Sequence, residues 1–327
     1  MVRDLAQLAE RLRCVLPDSD KLTAVRSFAD GHSNETYLIE GLNLILRVPQ
    51  TGPALLDARD VIQQAKIYKE VEGRPGGPPV PHVVFMSEDA RLIGEPFFVM
   101  RRIDAEPLGE TEVPAWFADL PDSLRDTLCR NFVDAVARVH AMAPLPLLGE
   151  PVAPQAELAR WRRFARISGN DRLVAAMDRL EARPARISGP PTVVHGDCKP
   201  GNTLWRGSQI AALLDWELSL NGDPLIDLGY MLFHFPSKWH GAALGMDLSG
   251  MWSREQVIAA WEAATGRSAE GIEWYEAEAF TKIAAIISHG NYLFRSGQTD
   301  DPRWDAFGPI AERLTNEIEG FFEAHPD

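Results

Sequence analysis

Two short runs of this sequence combine residue types that can do chemistry. In VVHGDCKPGNTLW (residues 193–205) an apolar strand feeds His195-Gly196-Asp197, and Asn202 follows five residues after the aspartate. In AALLDWE (211–217) a second apolar strand delivers Asp215. Phosphoryl transfer needs this set: one carboxylate to receive a hydroxyl proton, plus an amide and a second carboxylate to hold Mg²⁺ on the phosphates of ATP. Mg²⁺ prefers hard oxygen ligands, which Asn and Asp provide. A lone His-Gly-Asp tripeptide carries little weight; the three residues at these spacings, each at a strand end, carry much more.

Neighbouring polar residues read as support. His195, on an apolar strand, is expected to anchor the loop by hydrogen bonds and not to act as a base. Asp227, after Pro224, is expected to hold the same loop, and Asp223 to cap the helix that Pro224 starts. Cys198 has no base or helix N-terminus to make it a thiolate, so it is expected to be inert.

Strands and helices must position these groups. The pattern predicts a first helix over Asp4–Leu16, then strands over Thr23–Ala29, Thr36–Glu40 and Leu44–Val48, with turns at Gly31 and Gly41. A helix is predicted over Leu55–Val71, followed by the stiff linker GRPGGPPVPH (73–82) and strands over Val83–Met86 and Pro96–Ile103, joined by a turn at Ser87–Gly94. From Asp104 helices dominate, notably Ser123–Met142, Glu157–Ile167 and Asp171–Ala182. Three strand-like runs interrupt them: Thr192–His195, Asn202–Trp205 and Ile210–Trp216. The expected fold class is α+β in two lobes, residues 1–103 and 104–327.

The chain has 327 residues, 45% hydrophobic and 24% charged, which is ample for a large core and excludes a disordered chain. Its three cysteines, Cys14, Cys129 and Cys198, lie too far apart for a disulfide framework or a zinc site. A net charge of −14 argues against nucleic-acid binding. No apolar run approaches the ~18 residues of a membrane span, and no apolar segment follows Arg3 as a signal peptide requires. The expectation is a reduced, cytoplasmic protein with no membrane or nucleic-acid partner.

The spacing His-Gly-Asp-x-x-x-x-Asn followed by Leu-Asp-Trp-Glu resembles the aminoglycoside phosphotransferase family, relatives of the protein kinases. The resemblance implies a protein-kinase-like fold: a small antiparallel-sheet lobe over a mainly helical one. It further implies Asp197 as catalytic base, Asn202 and Asp215 as Mg²⁺ ligands, and Lys199 as a contact to the γ-phosphate. Glu217 would face the metals if its segment stays extended. GHSNETY (31–37) resembles the nucleotide loop, with Ser33 and Asn34 near the phosphates. LILRVP (44–49) resembles the third strand, with Arg47 where a lysine is usual; an Arg can grip phosphate in a bidentate way. GEPFFVM (94–100) resembles the strand into the hinge, which places the nucleotide near Met100. In DVIQQAKI (60–67) Gln64 falls where the family carries a glutamate facing that Arg, and Asp60 is the candidate substitute.

The LDWEL form, NGDPLIDL (221–228) and HGNYLFR (289–295) are similar to one branch, the kinase-like domain of the acyl-CoA dehydrogenase family 10 and 11 proteins. That branch implies a small-molecule hydroxyl acceptor, a hydroxyacyl-CoA or hydroxy acid, for which the arginines at 160, 162, 163 and 166 could supply a phosphate-binding face. The alternative acceptor is an aminoglycoside, which would call on Glu273, Glu276 and Glu278. A pseudokinase scaffold is a third reading, supported by Gln64 alone. Trp252, Trp261, Trp274 and Tyr275 are expected in the core.

Overall fold

A computed structural model describes residues 3–28, 34–50, 55, 60–108, 115–235 and 250–324. Gly31, His32 and Ser33 of the expected nucleotide loop lie outside the described residues. The first half is built on an antiparallel sheet of β1 (Val25–Ser27), β2 (Asn34–Ile39), β3 (Leu44–Pro49), β4 (Val83–Ser87) and β5 (Phe97–Arg101), in the order β1-β2-β3-β5-β4. Side chains alternate across it with period two. Leu46, Val48, Phe97 and Val99 pack on one face against Leu8 and Leu12 of the helix Leu5–Arg13. Ile45, Phe98 and Met100 pack on the other, against Ile62, Ala65 and Tyr68 of the helix Val61–Glu72. Arg47 falls in register with Ile45, and so points to that second face.

The helix starts at Val61, later than predicted, because Asp60 caps it by accepting from Gln63 N at 2.8 Å. Leu55, assigned to this helix from the sequence, is buried in the core of the second half. The expected turn at Ser87–Gly94 contains a short helix, Ala90–Ile93.

Past Ile103 the chain joins a new set of partners. β6 (Glu106–Pro107) pairs with β8 (Thr203–Arg206), which pairs with β9 (Gln209–Leu213). β7 (Thr192–Val194) pairs with β10 (Leu220–Gly222), a strand the sequence did not suggest. The helices Asp122–His140, Pro154–Ile167, Asp171–Glu181, Leu225–Leu232, Arg254–Thr265, Ile272–Arg295 and Arg303–Ala324 surround these hairpins. Trp261 and Tyr275 are fully buried, and Trp252 and Trp274 nearly so, as expected of core residues. The two halves share one packed layer: Phe98 and Met100 belong to the same cluster as Val139, Val193, Leu213 and Trp216. Among the described residues no helix is long and apolar enough to cross a membrane.

Candidate active site

β7 ends at Val194 and the chain turns at once through His195-Gly196-Asp197. Gly196 has φ +82°, and a Cβ there would lie 2.3 Å from Leu218 O, so this turn requires glycine. Behind it sits Asp227, fully buried. Its Oδ2 accepts from His195 N at 2.6 Å and its Oδ1 from Gly196 N at 2.8 Å. His140 Nε2 lies 3.0 Å from the same Oδ2, and Trp261 Nε1 donates to His140 Nδ1 at 2.9 Å. An indole N–H can only donate, so His140 is the tautomer whose Nε2–H donates to Asp227. Burial works against charge on Asp227, yet the bond and attraction of His140, with help from His195, hold it below the usual carboxylate range.

His195 ties the two chemical runs together. Its Nε2 donates to Leu214 O at 2.9 Å, and its Nδ1 accepts from Asp197 N at 3.2 Å. Burial lowers its pKa, which suits a neutral anchor and not a base. Cys198 Sγ donates to Asp227 O at 3.2 Å, and burial raises the thiol well above its usual range, so it is inert. Asp223 departs from expectation. The residue at the N-cap is Pro224, while the Asp223 carboxylate accepts from Leu225 N at 2.9 Å and ties Ser188 N at 2.6 Å.

Asp197, Lys199 and Asn202 converge. A short turn, Pro200–Asn202, folds the amide back so that Asn202 Nδ2 donates to Asp197 O at 2.9 Å and to its Oδ2 at 2.7 Å. Lys199 Nζ lies 3.7 Å from that Oδ2, and both side chains remain nearly a fifth exposed (17% for Asp197, 19% for Lys199). Burial opposes the Asp197 charge. Attraction from Lys199 and Lys282 and a hydrogen bond from Tyr230 overcome it, holding the carboxyl at about 2.

Asp215 forms the second group. It sits just past β9 in a left-handed conformation, φ +58°, and its Oδ1 accepts from Arg47 at 2.5 Å and from Gln64 Nε2 at 3.3 Å. Its backbone N–H donates to the Tyr68 hydroxyl at 3.1 Å. Gln64 and Tyr68 are one turn apart on the helix Val61–Glu72, so both reach the same residue. Arg47 also donates to Thr36 Oγ1 at 2.8 Å, and Asn34 Nδ2 donates to Glu217 Oε2 at 2.7 Å. Arg47, Asn34 and Gln64, expected at the nucleotide, thus meet Asp215 and Glu217, expected at the metal, directly.

Several expectations are corrected. Gln64 does not bond Arg47; both converge on Asp215, and Asp60 is occupied as a cap. Glu217 lies in a helical turn, Trp216–Leu218, and not in an extended segment. Met100 has its side chain in the packed core, so it stands behind the cleft at the end of the strand leading to Arg101–Asp104. Glu276 and Glu273 are engaged by Arg254, at 2.6 and 3.5 Å, while Glu278 is buried elsewhere. Arg162 is held by Asp178 at 2.6 Å and by Glu181, so it offers little charge to a ligand. Sequence reasoning missed Tyr68, Tyr230 and Lys282.

The residues present fit Mg²⁺. The donors are all hard oxygens: the Asn202 amide, whose nitrogen is spent on Asp197, and the carboxylates of Asp215 and Glu217. Among the described residues no three His, Cys, Asp or Glu side chains are grouped to cage a metal. The remaining ligands of such an ion would be phosphate oxygens and water.

A two-part, kinase-like fold with this carboxylate–amide–lysine arrangement defines a class, the kinase-like phosphotransferases. The chain belongs to the phosphotransferase enzyme family, whose sequence profile matches residues 24–279. The putative aminoglycoside phosphotransferase of Ralstonia eutropha shares the fold with a TM-score of 0.74 at 20% identity, covering 95% of this chain and 98% of that one. A ternary complex of an aminoglycoside 2″-phosphotransferase with streptomycin and ATP superposes with a TM-score of 0.61 at 16% identity, covering 98% and 99%. Among curated proteins, rat acyl-CoA dehydrogenase family member 11 is 24% identical over 91% of this chain and 41% of its own length. Mouse acyl-CoA dehydrogenase family member 10 is 26% identical over 65% of this chain and 20% of its own length. The chain therefore spans well under half of these curated relatives.

Proposed function

We propose that this enzyme transfers the γ-phosphate of ATP, as its Mg²⁺ complex, to a hydroxyl of a small molecule. Residues 1–103 hold the nucleotide and residues 104–327 carry the acceptor. The observation that carries this reading is the convergence of Asp197, Asn202 and Lys199 opposite an Asp215 gripped by Arg47. When bound, the metal ion offsets phosphate charge. Asn202, Asp215 and Glu217 would hold it, while Arg47 and Asn34 face the nucleotide.

Asp197 accepts the acceptor hydroxyl in a hydrogen bond and aims its oxygen at the γ-phosphorus. A carboxylate held near 2 is too weak a base to ionise an alcohol outright. It receives the proton late, as the new P–O bond forms, the bond to ADP breaks and the hydroxyl acidifies; this suits a loose transition state in which positioning dominates. Lys199 supplies fixed positive charge beside the transferring group.

The preferred acceptor is a hydroxyacyl-CoA or a hydroxy acid. Its support is the likeness to the acyl-CoA dehydrogenase family proteins and the state of the acidic residues on the C-terminal helices. A polycationic aminoglycoside needs available carboxylates, and Glu276 is already paired with Arg254 at 2.6 Å, with Glu273 sharing that guanidinium at 3.5 Å. A phosphate-transfer assay with γ-labelled ATP over hydroxyacyl-CoAs, free hydroxy acids and aminoglycosides tests this. We expect label on a hydroxy acid or its CoA ester. Label on an aminoglycoside alone overturns the acceptor assignment, and label on none of the three classes counts against the whole reading.

A further inference from the structure

The helix Ile272–Arg295 carries a lysine in the protein interior. Lys282 is 1% exposed, and taking an ammonium out of water costs several kcal/mol unless it is compensated. Glu278, one turn earlier, is equally buried, and its Oε1 has no hydrogen-bond partner. Burial raises Glu278 to about 8, so at neutral pH it is largely uncharged and does little to offset the lysine. The ammonium is instead stabilised by the Tyr230 ring at 4.5 Å, the Trp161 ring at 4.9 Å and the carbonyl of Gly196, to which Nζ donates.

That carbonyl belongs to the peptide joining Gly196 to Asp197. The N–H of the same peptide donates to His195 Nδ1. One peptide plane is therefore gripped at both its polar ends, and the next Cα bears the Asp197 carboxylate. Tyr230, whose ring the lysine touches, hydrogen-bonds that carboxylate. Gly229 lets the two helices approach: a Cβ there would lie 2.6 Å from the Tyr275 carbonyl. Tyr230 and Lys282 are thus held in mutual register by backbone packing.

We propose that Lys282 is a positioning residue for phosphoryl transfer: through the Gly196 carbonyl and the Tyr230 ring it fixes how Asp197 presents its carboxylate to the acceptor. This rests on the reading of Asp197 as the group that receives the acceptor hydroxyl. A buried lysine serving the fold alone would act on stability. One that positions Asp197 acts on kcat.

Lys282→Met keeps the length and burial and removes the charge. Its kcat should fall by about 10²-fold, the effect expected of a small misplacement of a reacting group. Mg·ATP affinity by calorimetry and KM for ATP should stay within about twofold. Tyr230→Phe should lower kcat by roughly 10-fold, for one hydrogen bond to a charged group. The double variant should be little worse than Lys282→Met, because both act through one carboxylate. A folded Lys282→Met with kcat within about threefold of the parent overturns the proposal, as do fully additive losses in the double variant. Should the single variant not fold, Lys282→Met with Glu278→Leu removes both buried ionisable groups and gives the same readout. An inactive Asp197→Asn beside a fully active Lys282→Met defeats this inference alone. An active Asp197→Asn defeats the reading beneath it.

Discussion

The two carboxylates of this site are held in opposite ways. Asp197 is pinned from behind by groups of its own half: Asp227 on the loop backbone, His195 on its N–H, Asn202 on its Oδ2. Asp215 is held from across the cleft by Arg47, Gln64 and Tyr68, all from the first half, and its side chain is 29% exposed. One carboxylate is preorganised by buried hydrogen bonds whatever the halves do. The other depends on how the halves meet. The proposed roles match: a group that orients a reacting hydroxyl needs the first kind of support, and one that exchanges protein partners for an incoming metal–nucleotide complex needs the second.

The largest expected effect lies behind the first carboxylate. Asp227→Ala strands the N–H groups of His195 and Gly196 and the Nε2–H of His140 in a dry interior. Unfolding by denaturant should show a loss of about 3–5 kcal/mol, the cost of breaking a buried charged network. A loss below 1 kcal/mol would mean the loop is held by something else. Asp215→Ala comes next and should act differently. Calorimetry should show Mg·ATP affinity falling by about 10²-fold or more, since a hard anionic ligand is removed, while unfolding changes less than in Asp227→Ala. Equal damage to stability from both would erase the contrast.

The smallest effect is a pH slope. Glu278 is raised to about 8 by burial, so between the ordinary glutamate range and pH 8 the folded chain keeps a proton that the unfolded chain has released. Stability from this group therefore falls as pH rises through that window. Glu278→Gln removes the slope. Its Tm relative to the parent should climb steadily between pH 5 and pH 8, by several degrees in all. A Tm difference independent of pH would show Glu278 ionised, or neutral, throughout.

Much of this arrangement was legible in the sequence because local spacing encodes it. The five-residue gap from Asp197 to Asn202 leaves room for the single short turn Pro200–Asn202 that brings the two side chains together. The contact of Arg47 with Asp215 spans 168 residues, and no local pattern carries it. Gln64 was placed on the correct helix and facing the cleft, but its partner depends on where Asp215 arrives after β9. The condition set for Glu217, an extended segment, is not met because the chain leaves β9 through the left-handed Asp215 into a turn. Lys282 escaped notice because a lysine in a helix usually reaches water along its stem. Its signal was the largely apolar run around it, which leaves every residue from Trp274 to Ala285 buried.

The central claim is that Asp197 serves the chemical step and not the binding of nucleotide. Asp197→Asn keeps the shape and the hydrogen bonds of the loop and removes the charge that receives the proton. Single-turnover and steady-state phosphate transfer on the acceptor found in the panel, with Mg·ATP affinity measured alongside, tests it. The expected result is kcat lower by ~10²–10⁴-fold with nucleotide affinity unchanged. Turnover within about threefold of the parent, or a loss of Mg·ATP binding that accounts for the whole defect, would contradict it.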